Sequence, residues 1–232
     1  MKVAFISGTS LAQSQVFAGW KPRTVETRHG AVTCRTHGDF VFINRHGPAA
    51  VLPPHRINHR ANICALADLG FVDVVAFNSV GSLKPELPPG TLVSCRDYVC
   101  LQDGPQTFFD DELKGGAPGI ENNLVPLLAA KLAPEFAVQP GKVYVQTRGP
   151  RFETKAEIQI LKAWGDVIGM TAAHEADLCR EAGLRYNLLA IVDNYANGIE
   201  GADIDFERFR DLVNANREKV DRLFARLLEF FA

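Results

Sequence analysis

The sequence lacks the cysteine pattern of a disulfide-rich or zinc-binding protein. Its five cysteines are an odd number, are scattered along 232 residues, and include no CxxC pair. Disulfide scaffolds need paired cysteines and structural zinc sites need closely spaced ligands, so the pattern argues against both classes. Several of the cysteines lie inside apolar segments, which predicts buried free thiols in a reducing compartment. We therefore expect a cytoplasmic protein.

Long apolar runs and a strong charge of either sign are also missing. No apolar run approaches the roughly 20 residues that span a bilayer, so we expect no membrane partner. The 25 basic and 27 acidic side chains leave a net charge of −2, which gives no reason to expect nucleic acid. The six histidines show neither HExxH nor another metal-binding spacing, and we predict no bound metal.

The chain does contain enough apolar material for one domain. Hydrophobic residues make up 47% of its 232 residues, which is close to the globular average. This length suits one sizeable domain better than two small ones, and no linker or internal repeat interrupts it. We therefore predict a single domain spanning residues 1–232.

Predicted strands and helices alternate along the chain. The strands are expected at residues 2–7, 31–36, 40–44, 72–77, 91–95, 97–101, 143–147, 167–170 and 186–193. The helices are expected at residues 57–69, 122–132, 154–164 and 172–182, followed by one long amphipathic helix in the tail. This alternation predicts an α/β fold with a mixed β-sheet flanked by helices.

Small polar segments follow several predicted strands, where ligands of α/β proteins usually bind. Ser7–Ser10 offers amides and hydroxyls for an anion, although it is neither GxxxxGK[ST] nor GxGxxG. Arg45 in Arg45–Gly47 supplies a guanidinium fork suited to phosphate oxygens. Residues 78–82 and Gly169–Thr171 have the same layout. Each alone is as well explained by a turn, a surface arginine or a helix N-cap, but four such loops can converge on one oxyanion.

Two further segments carry groups suited to a purine base. Phe152 offers a flat apolar face, and the Glu153 carboxylate beside it can hydrogen-bond to the edge of a stacked ring. Asn194 follows the last predicted strand and can donate and accept at once, which suits the Hoogsteen edge of a purine. The alternatives are a core phenylalanine, a helix start and an ordinary Asx turn.

In chain order, these segments resemble the trimeric purine nucleoside phosphorylases, and among them the methylthioadenosine and methylthioinosine phosphorylase branch. The matching segments are Gly8-Thr9, Asn44–Gly47, Ile57–Asn62 (similar to the family's VNYRAN), Asn78–Ser82, Gly149–Thr154 with Ala156-Glu157, Gly169–Thr171, and Glu175. Any one of them is common, but the ordered set is specific and covers about residues 3 to 197.

The resemblance implies a site for phosphorolysis, in which phosphate attacks C1′ of a purine nucleoside to give free base and ribose 1-phosphate. It implies no metal or organic cofactor, with inorganic phosphate as co-substrate. It also implies a homotrimer, to which the long polar segment 102–121 would contribute subunit contacts. The implied phosphate-binding residues are Thr9, Arg45, His46, Ser79 through its backbone, and Thr171. Met170 would lie under the ribose, and Phe152, Glu153 and Asn194 would hold the base, the last two as catalytic residues.

The hydrogen-bonding groups of the base site predict a 6-oxopurine. An ionised Glu153 can accept N1–H of hypoxanthine or guanine but would face the lone pair of adenine N1. Asn194 can donate to O6 and accept a proton at N7, whereas adenine-specific members of the family carry Asp there and a second Asp in place of Ala196. We therefore predict inosine, guanosine or 5′-methylthioinosine as substrate. The alternatives are a methylthioadenosine phosphorylase, a non-catalytic nucleoside-binding relative, and a nucleosidase that uses water.

Ile204, Phe206 and Phe209, at the start of the last predicted helix, offer an apolar pocket for the 5′ substituent. This favours a methylthio group, but the sequence leaves open whether the substituent is hydroxyl or methylthio. Two positions depart from the family pattern: His174 replaces the Pro of MTxxPE, and Ala50 replaces the second His of RHGxxH.

Overall fold

The computed structural model describes residues 1–11, 14–101, 106–114, 116–133 and 135–232, which form nine strands and five α-helices. The strands are β1 (Val3–Ser7), β2 (Lys21–Thr27), β3 (Gly30–His37), β4 (Phe40–Asn44), β5 (Asp73–Ser82), β6 (Leu92–Val99), β7 (Val138–Gln146), β8 (Val167–Gly169) and β9 (Arg185–Tyr195). The helices are α1 (His59–Asp68), α2 (Val125–Leu132), α3 (Lys155–Leu161), α4 (Ala172–Glu181) and α5 (Phe206–Phe231). The α/β class expected from the sequence is confirmed.

The strands form one mixed sheet in the order β2-β3-β4-β1-β5-β8-β7-β6-β9. Because β9 also pairs with β5, the last five strands of this order close into a barrel. Strands β4, β1, β5 and β9 lie next to one another and are parallel. Their carboxyl ends therefore meet at one edge, where residues distant in sequence are brought together.

The long predicted C-terminal helix is confirmed as α5. Asp205 caps it by accepting the Arg208 amide at 2.8 Å, and its apolar stripe packs on the sheet. Phe224 is fully buried and meets Phe77 of β5 and Phe5 of β1 edge to face, with ring centroids 5.2 and 6.0 Å apart. These contacts hold α5 against the strands whose ends carry the site.

Several boundaries differ from the sequence-based expectation. Residues 78–82 continue β5, and Asn194 lies inside β9, because these two strands remain paired through Ser82 and Tyr195 with a bulge between Val80 and Gly81. The two short strands expected at 91–101 are one strand, β6, whose pairing with β7 is irregular. Strand β2 was not predicted, since only Val25 of its seven residues is buried and the alternating apolar signal is absent.

Three cysteines, Cys34, Cys95 and Cys179, are buried, and their burial raises the pKa of each thiol. They are therefore protonated and unreactive at neutral pH. Over the ranges that the structure describes, the helices are all too short or too polar to cross a bilayer.

Candidate active site

A cavity of about 300 Å³ opens at the carboxyl ends of the parallel strands. All twelve residues assigned to a site from the sequence line it, although they are spread over most of the chain. They are Thr9, Arg45, His46, Ser79, Phe152, Glu153, Met170, Thr171, Asn194, Ile204, Phe206 and Phe209. The fold thus brings the expected phosphate, ribose, base and 5′ groups to one concave surface.

At one end of this cavity the Arg45 guanidinium is buried and bound to Glu175 of α4. Its Nε donates to Oε1 at 2.6 Å and its Nη2 donates to Oε2 at 3.0 Å. Tyr186 donates its hydroxyl to the same carboxylate at 2.8 Å. Burial disfavours the charged guanidinium, but the adjacent carboxylate outweighs this effect and raises the pKa of Arg45. The Arg45 charge is therefore compensated inside the protein.

This arrangement corrects the expectation that the guanidinium fork faces the ligand. Nη1 carries two N–H groups, and one of them donates to the Phe77 carbonyl at 3.1 Å. The other contacts no acceptor among the described residues, and Arg45 lines the cavity. Arg45 can therefore offer a bound anion at most one charge-assisted donor instead of the bidentate fork.

Asn78 connects Arg45 to Thr171 and was singled out by the sequence only as part of a polar segment. Its Oδ1 accepts from Arg45 Nη2 at 3.2 Å, and its Nδ2 donates to Thr171 Oγ1 at 2.8 Å. Thr171 is the N-cap residue of α4 but makes no capping hydrogen bond with its side chain. Since its oxygen is already an acceptor, its hydroxyl proton is left for a ligand in the cavity.

His46 presents a neutral imidazole to the same region. Its Nδ1 lies 2.7 Å from the Leu52 carbonyl, which requires the proton on Nδ1 and leaves Nε2 as an acceptor. The pKa of the His46 imidazole is lowered from its ordinary value, mainly because the ring is buried. The ring packs closely on Gly8, where an added Cβ would lie 2.7 Å from it. Gly8 is therefore needed for the approach of the Thr9 turn to His46.

Phe152 and Glu153 also line the cavity. Glu153 is 8% exposed, and its Oε1 accepts the Thr147 hydroxyl at 2.6 Å. Burial raises the pKa of the Glu153 carboxyl above its ordinary value. Asn194 donates its Nδ2 to the Tyr195 carbonyl at 2.8 Å, which leaves its Oδ1 as the free acceptor in this conformation.

Asn197, which was not assigned from the sequence, connects Glu153 to the segment before α5. Its Nδ2 donates to the Glu153 carbonyl at 2.8 Å and its Oδ1 accepts the Ile204 amide at 2.7 Å. Phe209 meets Phe152 with ring centroids 5.4 Å apart. The expected base and 5′ regions are therefore adjacent. The only sequence signal for Asn197 is its place at the end of the polar Asp193–Asn197 segment.

The two departures from the family pattern lie in different places. Ala50 lines the cavity, whereas His174 is buried in α4 with its ring centroid 5.4 Å from that of His59. Burial lowers the pKa of His59 well below its ordinary value, so that ring is neutral. Within the described ranges, no cluster of three or more His, Cys, Asp or Glu side chains is arranged to hold a metal ion.

Comparisons with known proteins agree with this geometry. The Phosphorylase superfamily model matches residues 3–229. A probable 6-oxopurine nucleoside phosphorylase of Archaeoglobus fulgidus is 38% identical over 222 residues, covering 93% of this chain and 90% of that protein. A probable S-methyl-5′-thioinosine phosphorylase of Methanocaldococcus jannaschii is 39% identical over 226 residues, covering 91% and 87%. Methylthioadenosine phosphorylase from Schistosoma mansoni in complex with adenine superposes with a TM-score of 0.85 at 26% identity, covering 100% of this chain and 92% of that chain.

The buried Arg45–Glu175 pair predicts a large loss of stability on its disruption. Glu175→Gln leaves the Arg45 charge buried without its counter-ion, which typically costs about 3–5 kcal/mol. Urea unfolding at pH 7 measures the change in the free energy of unfolding. Glu229→Gln is the matched control, since Glu229 pairs with Arg226 on the exposed face of α5 and its loss should cost about 0–1 kcal/mol. Equal effects of the two substitutions would contradict the structural importance of the buried pair.

Proposed function

The chain belongs to the phosphorylase superfamily, and from this membership we propose that it is a purine nucleoside phosphorylase that cleaves 6-oxopurine nucleosides. The observation that carries this proposal is the single cavity that Arg45 and Thr171 line together with Glu153 and Asn194. Arg45 and Thr171 have donors suited to an anion, and the side chains of Glu153 and Asn194 match the edge of a 6-oxopurine. A nucleoside between them would present C1′ to the anion.

The proposed reaction forms a bond from a phosphate oxygen to C1′ and breaks the bond from C1′ to purine N9. The electron pair of the broken bond goes to the purine, which gains at N7, through solvent, the proton that HPO₄²⁻ loses as it becomes the sugar phosphate dianion. Phosphate beside the sugar stabilises the positive charge that develops there, and hydrogen bonds at O6 and N7 stabilise the leaving base. Since both charges are stabilised by phosphate and side chains, we propose that neither metal nor organic cofactor takes part.

On the phosphate side, the binding groups are hydrogen-bond donors around the Arg45 guanidinium, whose charge Glu175 already compensates. The free Nη1–H of Arg45 and the hydroxyl of Thr171 would donate to phosphate oxygens, with Thr9 and the backbone at Ser79 completing the site. The neutral His46 offers an acceptor at Nε2, which suits the protonated oxygen of HPO₄²⁻. Met170, which also lines the cavity, would contact the ribose.

On the base side, Glu153 must be ionised to accept N1–H of the substrate. Because burial raises the pKa of this carboxyl, its ionised fraction falls as the pH drops through that raised value. The apparent affinity for a 6-oxopurine nucleoside should therefore weaken on the acid side. Asn194 would turn its Nδ2 from the Tyr195 carbonyl toward O6 and donate to it, while its Oδ1 accepts a hydrogen bond from N7–H of the leaving base.

Adenine nucleosides are the second candidate, because the Schistosoma mansoni structure holds adenine. An adenine ring would place its bare N1 against the Glu153 carboxylate, and a mispaired buried group of this kind costs about 1–3 kcal/mol. Ala196 lines the cavity and offers no carboxylate for the N6 amino group. The 6-oxopurine assignment is therefore preferred.

We predict that kcat/KM in the presence of phosphate is at least tenfold higher for inosine, guanosine or methylthioinosine than for adenosine or methylthioadenosine, from one mispaired contact of about 1.4 kcal/mol. Asn194→Asp should narrow or invert this ratio, mainly by losing 6-oxopurine turnover. Gln159→Glu, an equivalent charge change on an exposed residue of α3, should leave the ratio unchanged. A wild-type preference for methylthioadenosine would show that the assignment of Glu153 and Asn194 is wrong.

We also propose that the 5′ substituent is methylthio, since Ile204, Phe206 and Phe209 give that part of the cavity an apolar wall. Burying a methylthio group there contributes about 25 cal/mol per Å² of apolar area. Methylthioinosine should therefore have a higher kcat/KM than inosine, and Phe209→Ala should reduce the ratio of the two values. A clear preference of the wild type for inosine would overturn this assignment.

We further propose a homotrimer, supported by the resemblance and by the polar segment 102–121. Of this segment, residues 102–105 and 115 lie outside the described ranges. Glu181 of α4 accepts the Thr107 hydroxyl at 2.8 Å and the Phe108 amide at 2.6 Å, and Leu113 is fully exposed. A segment held in place on α4 is in a fixed position to contact a neighbouring subunit. Light scattering should give three times the mass of the chain, and a monomer would contradict the proposal.

Recovery of a free purine base is the chemistry of purine salvage, and we propose this role for the enzyme. The buried thiols of Cys34, Cys95 and Cys179 are compatible with a reducing cytoplasm.

A further inference from the structure

Asp193 is a buried carboxylate directly behind the cavity that the proposed reaction does not use. It precedes Asn194 in β9 and is 0% exposed. Its Oδ2 accepts the hydroxyl of Ser79 from β5, and its Oδ1 accepts Asn216 Nδ2 from α5 at 2.8 Å. The carboxylate thus joins a strand on the phosphate side to the long C-terminal helix.

The hydrogen-bonded chain continues from Ser79 to the turn that carries Thr9. Ser79 Oγ lies 2.8 Å from Ser10 Oγ, and both Thr9 and Ser79 line the cavity. A carboxylate can only accept, so the Ser79 proton is committed to Asp193. The Ser10 hydroxyl must then be the donor to Ser79. One carboxylate therefore fixes the direction of two successive hydroxyl groups at the phosphate end.

The ionisation of Asp193 supports this directionality. Burial raises the pKa of Asp193 to about 6, while hydrogen bonds from Ser79 and Asn216 act in the opposite direction. The group is therefore mostly ionised at the neutral pH of an assay. A buried carboxylate costs free energy even when it is hydrogen-bonded. An apolar side chain of similar size would fill the same space without this free-energy cost. The role of Asp193 therefore depends on its carboxylate oxygens as hydrogen-bond acceptors.

We propose that Asp193 is a positioning residue for the phosphate site, which holds the Ser79 and Ser10 hydroxyls and, through them, the Thr9 turn. This inference rests on the proposed phosphorolysis. Asp193 does not touch the substrate in this account. Asp193 acts through Ser79, whose backbone is assigned to phosphate binding. Asn194, the residue after Asp193, keeps its place in β9 on the base side.

Steady-state kinetics of Asp193→Ala at pH 7.5, with phosphate and inosine varied separately, test this role. Loss of the acceptor frees the Ser79 and Ser10 hydroxyls, and misplacing one hydrogen bond to phosphate in this way should raise the KM for phosphate about tenfold. The KM for inosine should change by less than about twofold. Asp193→Asn should keep the phosphate KM within about threefold of wild type. Its amide oxygen still accepts the Ser79 hydroxyl when Asn216 turns its own carbonyl toward the new NH₂.

The double variant Ser79→Ala/Asp193→Ala identifies the route of the effect. If Asp193 acts through Ser79, the double variant should have the same phosphate KM as Ser79→Ala alone. The inference would be overturned if the effects of the two substitutions on the phosphate KM were fully additive. An equal rise of the KM values for phosphate and inosine in Asp193→Ala would also overturn it. If Asp193→Ala does not fold, Asp193→Asn decides, and a tenfold rise in its phosphate KM would overturn the inference. An inactive wild type would instead refute the proposed function.

Discussion

The buried Arg45–Glu175 pair is the interaction on which the site depends. It joins the end of β4 to α4, and Asn78 and Tyr186 add hydrogen bonds from β5 and β9. Removing either charge would leave the other without an oppositely charged partner in the protein interior. The pair therefore connects β4, β5, α4 and β9 beside the part of the cavity proposed to bind phosphate. It also explains why that end offers oriented hydrogen bonds and no free positive charge.

The parallel strands supply the second constraint. Strands β4, β1, β5 and β9 end at one edge, so Arg45, Thr9, Ser79 and Asn194 meet there despite their separation in sequence. Each residue sits on or next to a paired strand, which limits its movement. A site that must hold two reactants within bonding distance benefits from such rigid supports.

The sequence predicted which residues line the cavity far better than it predicted the hydrogen bonds and ion pairs that these residues make. Ordered motifs identified most of the residues that line the cavity, because several motifs place small or polar residues at or near the carboxyl end of a strand. The motifs did not indicate that the Arg45 guanidinium binds Glu175. The two residues are 130 positions apart in sequence, and their contact depends on how α4 packs against the sheet. Asp193 and Asn197 were missed as supporting residues for the same reason. The extended β5 and β9 were misjudged because polar residues such as Asn78 and Asn194 normally end a strand, whereas here cross-strand pairing continues through them.

The central claim is that this cavity transfers ribose to phosphate and not to water. The most direct measurement is phosphorus NMR, together with base quantification, on inosine incubated with the enzyme with and without phosphate. Ribose 1-phosphate and hypoxanthine should appear in equal amounts when phosphate is present, and no base should be released when it is omitted. Release of hypoxanthine with free ribose in the absence of phosphate would contradict the claim.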